Sequence, residues 1–134
     1  MTVQQSDAVR DARADALEVA VGASPYVDLR VGAQPSDCAQ ADSGAELVHM
    51  ALPSDWMAAS IGGTKVKSGT WSGTGIADGS VGHYRLKNNA DDTCHEQGSV
   101  TGTGGGGDLE LDNPSITIGQ TVTINTWTYV EGGA

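Results

Sequence analysis

With 134 residues the chain has the length of one domain and room for a single core, so no second domain is expected. It carries 19 glycines, no phenylalanine and 3 each of tryptophan and tyrosine, which leaves a thin core to be built from Val, Ile, Leu, Ala and those few rings. A formal net charge of −10, with Lys and Arg scattered, excludes a nucleic-acid-binding surface, because phosphate contact needs a basic patch.

The first predicted element is a helix over residues 6–21, with Ser6 as its cap, Asp7 in its first turn and Gly22 as its stop. Val9, Ala12, Ala16, Val19 and Ala20 recur at spacings of three and four and form a shallow apolar stripe. That stripe either covers an edge or face of a sheet or docks on a neighbouring subunit. Residues 26–31 alternate as a strand, with Val27, Leu29 and Val31 inward and Asp28 and Arg30 outward. A polar loop, 32–44, follows. Residues 46–52 form a second strand with Val48, Met50 and Leu52 on one face and His49 on the other, ended by Pro53. Residues 54–63 fit a helical turn or a strand edge equally, and 64–76 read as one or two strands around Val66 and Trp71.

Residues 80–100 predict an antiparallel hairpin around the polar loop 88–92. Setting Leu86 against Cys94 also sets Tyr84 against Glu96 and Gly82 against Gly98 inside, and Arg85 against His95 outside. The expected inner face is thus Gly82, Tyr84, Leu86 and Cys94, and His83, Arg85 and Lys87 are expected in solvent. A flexible connection over 101–107 leads to a short strand with Leu109 and Leu111 inward. Two closing strands, 115–118 and 121–130, are expected to join tightly at Gly119 and Gln120. Val122 and Ile124 fall on one face of the last strand and Trp127 and Tyr129 on the other, which predicts a bulge near Asn125 or a strand end covered by a partner. About eight short strands after one helix give a mainly β chain, a jelly-roll-like β-sandwich with one N-terminal α-helix. Residues 1–22 are then the helix or arm and 23–134 a single sandwich domain.

Candidate chemistry is sparse. Gly102, Gly104 and Gly107 match GxGxxG, but a strand rather than a helix follows, and no Lys-Ser/Thr pair makes a phosphate loop. Asp108, Glu110 and Asp112 alternate along one strand and share a face; a solvated strand face is expected, with calcium as the alternative if the 89–92 loop adds oxygens. His49, His83 and His95 lack metal-ligand spacing, and Cys94 and His95 are adjacent on a strand and point to opposite faces. Cys38 and Cys94 show no CxxC or regular spacing and are expected as free thiols, their pairing left open. Trp56, Trp71, Trp127 and Tyr129 serve either the core and subunit contacts or a sugar-stacking platform. No catalytic, cofactor-binding or metal residue is therefore nominated, and no cofactor. Neither a membrane span of roughly 20 apolar residues nor an apolar signal core is present, which predicts a soluble protein made in the cytoplasm.

The order of segments, an Arg-, Asp- and Ala-rich helix, then YVDLRVGAQP, ELVHMALP, the GHYRL and HEQGSV hairpin and the finish DLELDNPSITIGQTVTI, resembles small virion proteins of tailed bacteriophages. It is most similar to jelly-roll capsid decoration, or cement, proteins. The resemblance implies a non-enzymatic homo-oligomer, dimer or trimer, that binds the outer surface of the major capsid protein's shell and clamps capsomer junctions. The alternative it leaves is a tail- or fibre-associated module binding host carbohydrate. A thin core and spare apolar surface make Val9, Ala12, Ala16 and Val19 of the helix, and Trp127 and Tyr129 near the end, the expected partner contacts.

Overall fold

The computed structural model describes residues 3–131, over which the chain forms one helix and ten strands and is mainly β. Helix α1 (Asp7–Val21) starts where the Ser6 hydroxyl accepts the Val9 N–H at 3.3 Å, and it stops at Gly22, whose N–H returns to Glu18 O. The strands are β1 (Tyr26–Val31), β2 (Glu46–Ala51), β3 (Thr64–Val66), β4 (Trp71–Thr74), β5 (Gly79–Lys87), β6 (Cys94–Gly102), β7 (Leu109–Leu111), β8 (Ser115–Ile116), β9 (Thr121–Ile124) and β10 (Thr128–Val130).

Six strands make the main sheet, in the order β2-β1-β5-β6-β7 with β8 beside the start of β5; β4 pairs with β9, and β3 with β10, as two separate ribbons. The β4–β9 ribbon reaches both ends of the main sheet. At β2 the link is a bridge between Val48 and Gly75, with Ile76 N–H donating to Leu47 O; at β7 the Asn125 amide donates to Asp112 at 2.8 Å. The sheet thereby curls around one apolar cluster of Val27, Leu29, Val48, Met50, Tyr84, Leu86, Val100, Leu109 and Leu111, closed by Trp71, Val122, Ile124 and Trp127. Trp127 meets Trp71 and Tyr84 edge-on, with ring centroids 4.8 and 5.2 Å apart.

The hairpin forms, but in a different register. Leu86 opposes Glu96, Tyr84 opposes Gly98 and Arg85 opposes Gln97, two residues from the expected pairing, with a bulge before Lys87 that sets Cys94 against Lys87. A shift of two keeps Tyr84 and Leu86 in the core, whereas the bulge moves Cys94 onto the opposite face. A second bulge, between Arg30 and Val31, takes Gly82 out of the ladder, and Val81 enters the core in its place.

Residues 101–107 are not a loose connection. β6 and β7 run parallel, Val100 opposite Leu109, so the chain must return within a few residues where a parallel crossover ordinarily takes a dozen or more. Gly104 and Gly106 make that return at φ +83° and +80°, and Glu110 accepts both of their N–H groups. The closing strands also differ from expectation. β8 pairs with β5 rather than with β9, and the chain breaks at 125–127 so that β9 and β10 join different ribbons. The change of apolar face near Asn125 marks that break.

Helix α1 turns a mixed face inward, with Leu17 half-buried against the apolar core between polar contacts to β3 and its neighbours. Arg10, Ala14 and Val21 are buried, Asp11 accepts from Ser60 Oγ and Gly63 N–H, and Lys65 of β3 pairs with Asp15 and Glu18 at 2.6 and 2.9 Å.

Candidate functional site

The face of the main sheet opposite the apolar core was expected in solvent and is instead a second, polar interior. His83, Arg85 and Lys87 of β5 are 0, 1 and 3% exposed, and Asp28 of β1 is 2% exposed. What covers them is the 32–44 loop. It comes so close at β5 that a Cβ on Gly82 would lie 2.3 Å from Gly32 O, so only glycine fits there. Arg85 makes four hydrogen bonds to the loop, donating to the carbonyls of Asp37, Cys38 and Gln40 and, at 2.7 Å, to Asp42 Oδ1. His83 Nδ1 meets Gly32 O at 2.8 Å, Gln97 donates to Pro35 O, and Arg30 donates to Gly44 O. The loop's backbone is thus held by side chains of the sheet it covers.

Asp42 gathers the cations, accepting from Arg85, Lys87 and Arg30. Burial disfavours its charge, but the hydrogen bonds from Lys87 and Arg85 outweigh that and hold its carboxyl below the ordinary carboxylate range. For Lys87 burial likewise favours the neutral amine, and the bond to Asp42 together with the charge of Asp28 raises its pKa instead. Next to this pair, His49 Nδ1 lies 2.6 Å from Asp28 Oδ1 and 3.0 Å from Glu46 Oε1. Burial first, then the charge of Asp28, raises the Glu46 pKa.

Asp28, Glu46 and His49 bring one donor atom each within 4.8 Å of the others, a separation that fits a cation. Lys87 already stands 3.3 Å from Asp28, and Arg30 lies 3.8 Å from Glu46, so a metal ion would displace or repel a protein cation on either side. The cluster is a charge network of Asp28, Glu46, Lys87 and Arg30 with the His49 ring hydrogen-bonded to Asp28.

Of the nominated contact residues, Val9, Ala12, Ala16 and Val19 all face solvent, Val19 at 82% exposure, because α1 docks through Ala14, Leu17 and Val21 together with Asp15 and Glu18. Trp127 offers no contact surface; it is 8% exposed and belongs to the apolar core, while Tyr129 is half-buried with its hydroxyl donating to Glu131. Trp56 and Trp71 are fully buried, with indole N–H groups donating to Gly22 O and to the carbonyls of Trp56 and Ser68. A sugar platform of exposed indoles is not what these residues form. Asp108, Glu110 and Asp112 do share an exposed face, yet each serves a different partner: Ser99, the Gly104–Gly106 return and Asn125. Cys94 turns toward Cys38 and His95 is exposed, and among the described residues no hydrogen bond joins a histidine to a hydroxyl or thiol.

Sequence reasoning missed the polar interior. Its signal was Asp28, Arg30, His83, Arg85 and Lys87 at successive outward positions of two strands, beside a loop carrying Asp37 and Asp42. Comparison with protein-family models, with curated proteins and with solved structures finds no match to this chain.

Proposed function

We propose that this chain is a non-enzymatic structural protein of a tailed-bacteriophage virion, a jelly-roll-type decoration protein that binds the outer surface of the major capsid shell as a homo-oligomer. The observation that carries the reading is the outward stripe of α1. A helix on a globular protein ordinarily turns its apolar side in. Here Ala14, Leu17 and Val21 do face the body and Asp15 and Glu18 pair with Lys65, yet Val9, Ala12, Ala16 and Val19 remain in solvent as a second apolar stripe. The two alanines let another backbone approach closely, and the valines supply apolar area for it to cover. Ile61, Val66 and Val130 add exposed apolar surface elsewhere, at 81, 45 and 61%. The similarity of the segment order to virion proteins supports the same reading, as does the acidic balance of −10, which suits a face turned away from packaged DNA. Many weak contacts repeated over a shell bind firmly through avidity.

The carbohydrate-binding tail module lacks exposed indoles among the described residues and has no such support. The test is a cryo-electron reconstruction of the virion whose genome encodes this chain. The reading predicts density for the chain on the outer capsid surface, with α1 toward the shell or a neighbouring copy. A bare outer shell, or the chain in the tail alone, would overturn it.

A further inference from the structure

We infer that Cys38 and Cys94 form an intramolecular disulfide that locks the 32–44 loop onto the β5–β6 hairpin, through exchange with a low-molecular-weight disulfide of the glutathione class. The two thiols are 56 residues apart in sequence, and their sulfurs stand 2.8 Å apart, inside the contact distance of two unbonded sulfurs. Neither position is accidental. The bulge before Lys87 turns Cys94 to the polar face, and Arg85 holds the Cys38 carbonyl at 3.0 Å and those of Asp37 and Gln40 on either side of it. One guanidinium therefore fixes the loop so that one sulfur faces the other.

Access is provided as well. Both cysteines are half-buried and line an open cleft of about 470 Å³ whose other walls include Asp42, Arg85, Lys87 and Asp92, so a small disulfide reaches the sulfurs without unfolding. Two sulfurs this close leave no room for a metal ion between them, since zinc–sulfur bonds of about 2.3 Å spread a pair of thiolates further apart. Burial, then the hydrogen bond to Cys38, pushes the Cys94 thiol up to about 12, which disfavours its thiolate and suits a structural bond rather than a catalytic one.

The exchange balances. One protein thiolate attacks a sulfur of glutathione disulfide and releases one glutathione thiolate, leaving a mixed disulfide on the protein. The second protein thiolate then attacks the protein sulfur of that mixed bond and releases the second glutathione thiolate. The protein loses two electrons and two protons, and glutathione disulfide becomes two glutathiones. Such a bond would form after release from a reducing cytoplasm, tightening the loop in an oxidising medium.

The test is incubation of the full chain with glutathione disulfide, followed by acid quenching, alkylation and mass analysis, with thermal unfolding of the same samples. The expected product has lost two hydrogen atoms, contains a Cys38–Cys94 cross-linked peptide, and unfolds about 10 °C higher than the reduced chain. Comparing oxidised with reduced wild type needs no variant to fold, and Cys38→Ser should abolish the shift. Two alkylated thiols after oxidation, a stable glutathione adduct on either cysteine, or disulfide-linked dimers would each overturn the inference.

Discussion

Asp42 does at one position what a buried cation pair requires. Arg85 and Lys87 are almost wholly removed from water, and a charge so placed is tolerated only with a partner and hydrogen bonds. Asp42→Asn keeps the shape and removes the charge, and it is expected to cost about 2 kcal/mol at neutral pH by urea unfolding. The pH dependence follows from the direction of the shift. Asp42 has a lowered pKa in the folded chain, so its stabilisation is complete above the ordinary carboxylate value of about 3.9 and is lost as pH falls through the lower folded value. The stability gap between wild type and Asp42→Asn should therefore narrow below about pH 4. A gap that stays constant down to acid unfolding would show that Asp42 is not ionised in this role. The alternation of His83, Arg85 and Lys87 was legible in the sequence, and their burial was not. Period two says which residues share a face; the cover came from a loop without periodicity, which meets Arg85 with three carbonyls and the Asp42 carboxylate.

Among the elements, α1 shows the same division. Its ends were legible, because Ser6 and Gly22 are local signals that act within one turn. Its orientation was not, since a stripe of alanines and valines is a weak apolar signal and the opposing demand sits on β3, about fifty residues away. Lys65 is 1% exposed and donates to Asp15 and to Ala58 O as well as pairing with Glu18. Burial alone would favour its neutral amine, and the bonds to Asp15 and Glu18 outweigh that and raise its pKa. Lys65→Ala removes the anchor of three groups and is expected to destabilise the chain by about 3 kcal/mol. Hydrogen exchange should show the α1 amides losing protection first, ahead of β1 and β5. Uniform loss over the whole chain would mean that α1 is held by Val21 and Ala14 rather than by the ion pair. The 101–107 return was misread for a related reason. A glycine run reads as flexible when its partners are unseen, and here Thr101 Oγ1 and Glu110 accept its N–H groups.

On the scale of the molecule, one sheet separates two interiors of opposite character, apolar inside its curl and ionic beneath the 32–44 loop. The mainly β class was legible from alternation and turn residues; the topology was not, because β8, β9 and β10 choose partners far away in sequence. With both sheet faces covered, the outer side of α1 leaves Val9 and Val19 exposed, and the proposed binding to a capsid shell places its weight there. Val9→Glu with Val19→Glu tests it most directly. Both positions are exposed and glutamate is a better helix former than valine, so the fold and its unfolding temperature should be unchanged. Binding of the purified chain to isolated shells, measured by co-sedimentation, should fall at least about tenfold, the equivalent of 1.4 kcal/mol. Equal occupancy by wild type and double variant, or no binding by the wild type, would contradict the account.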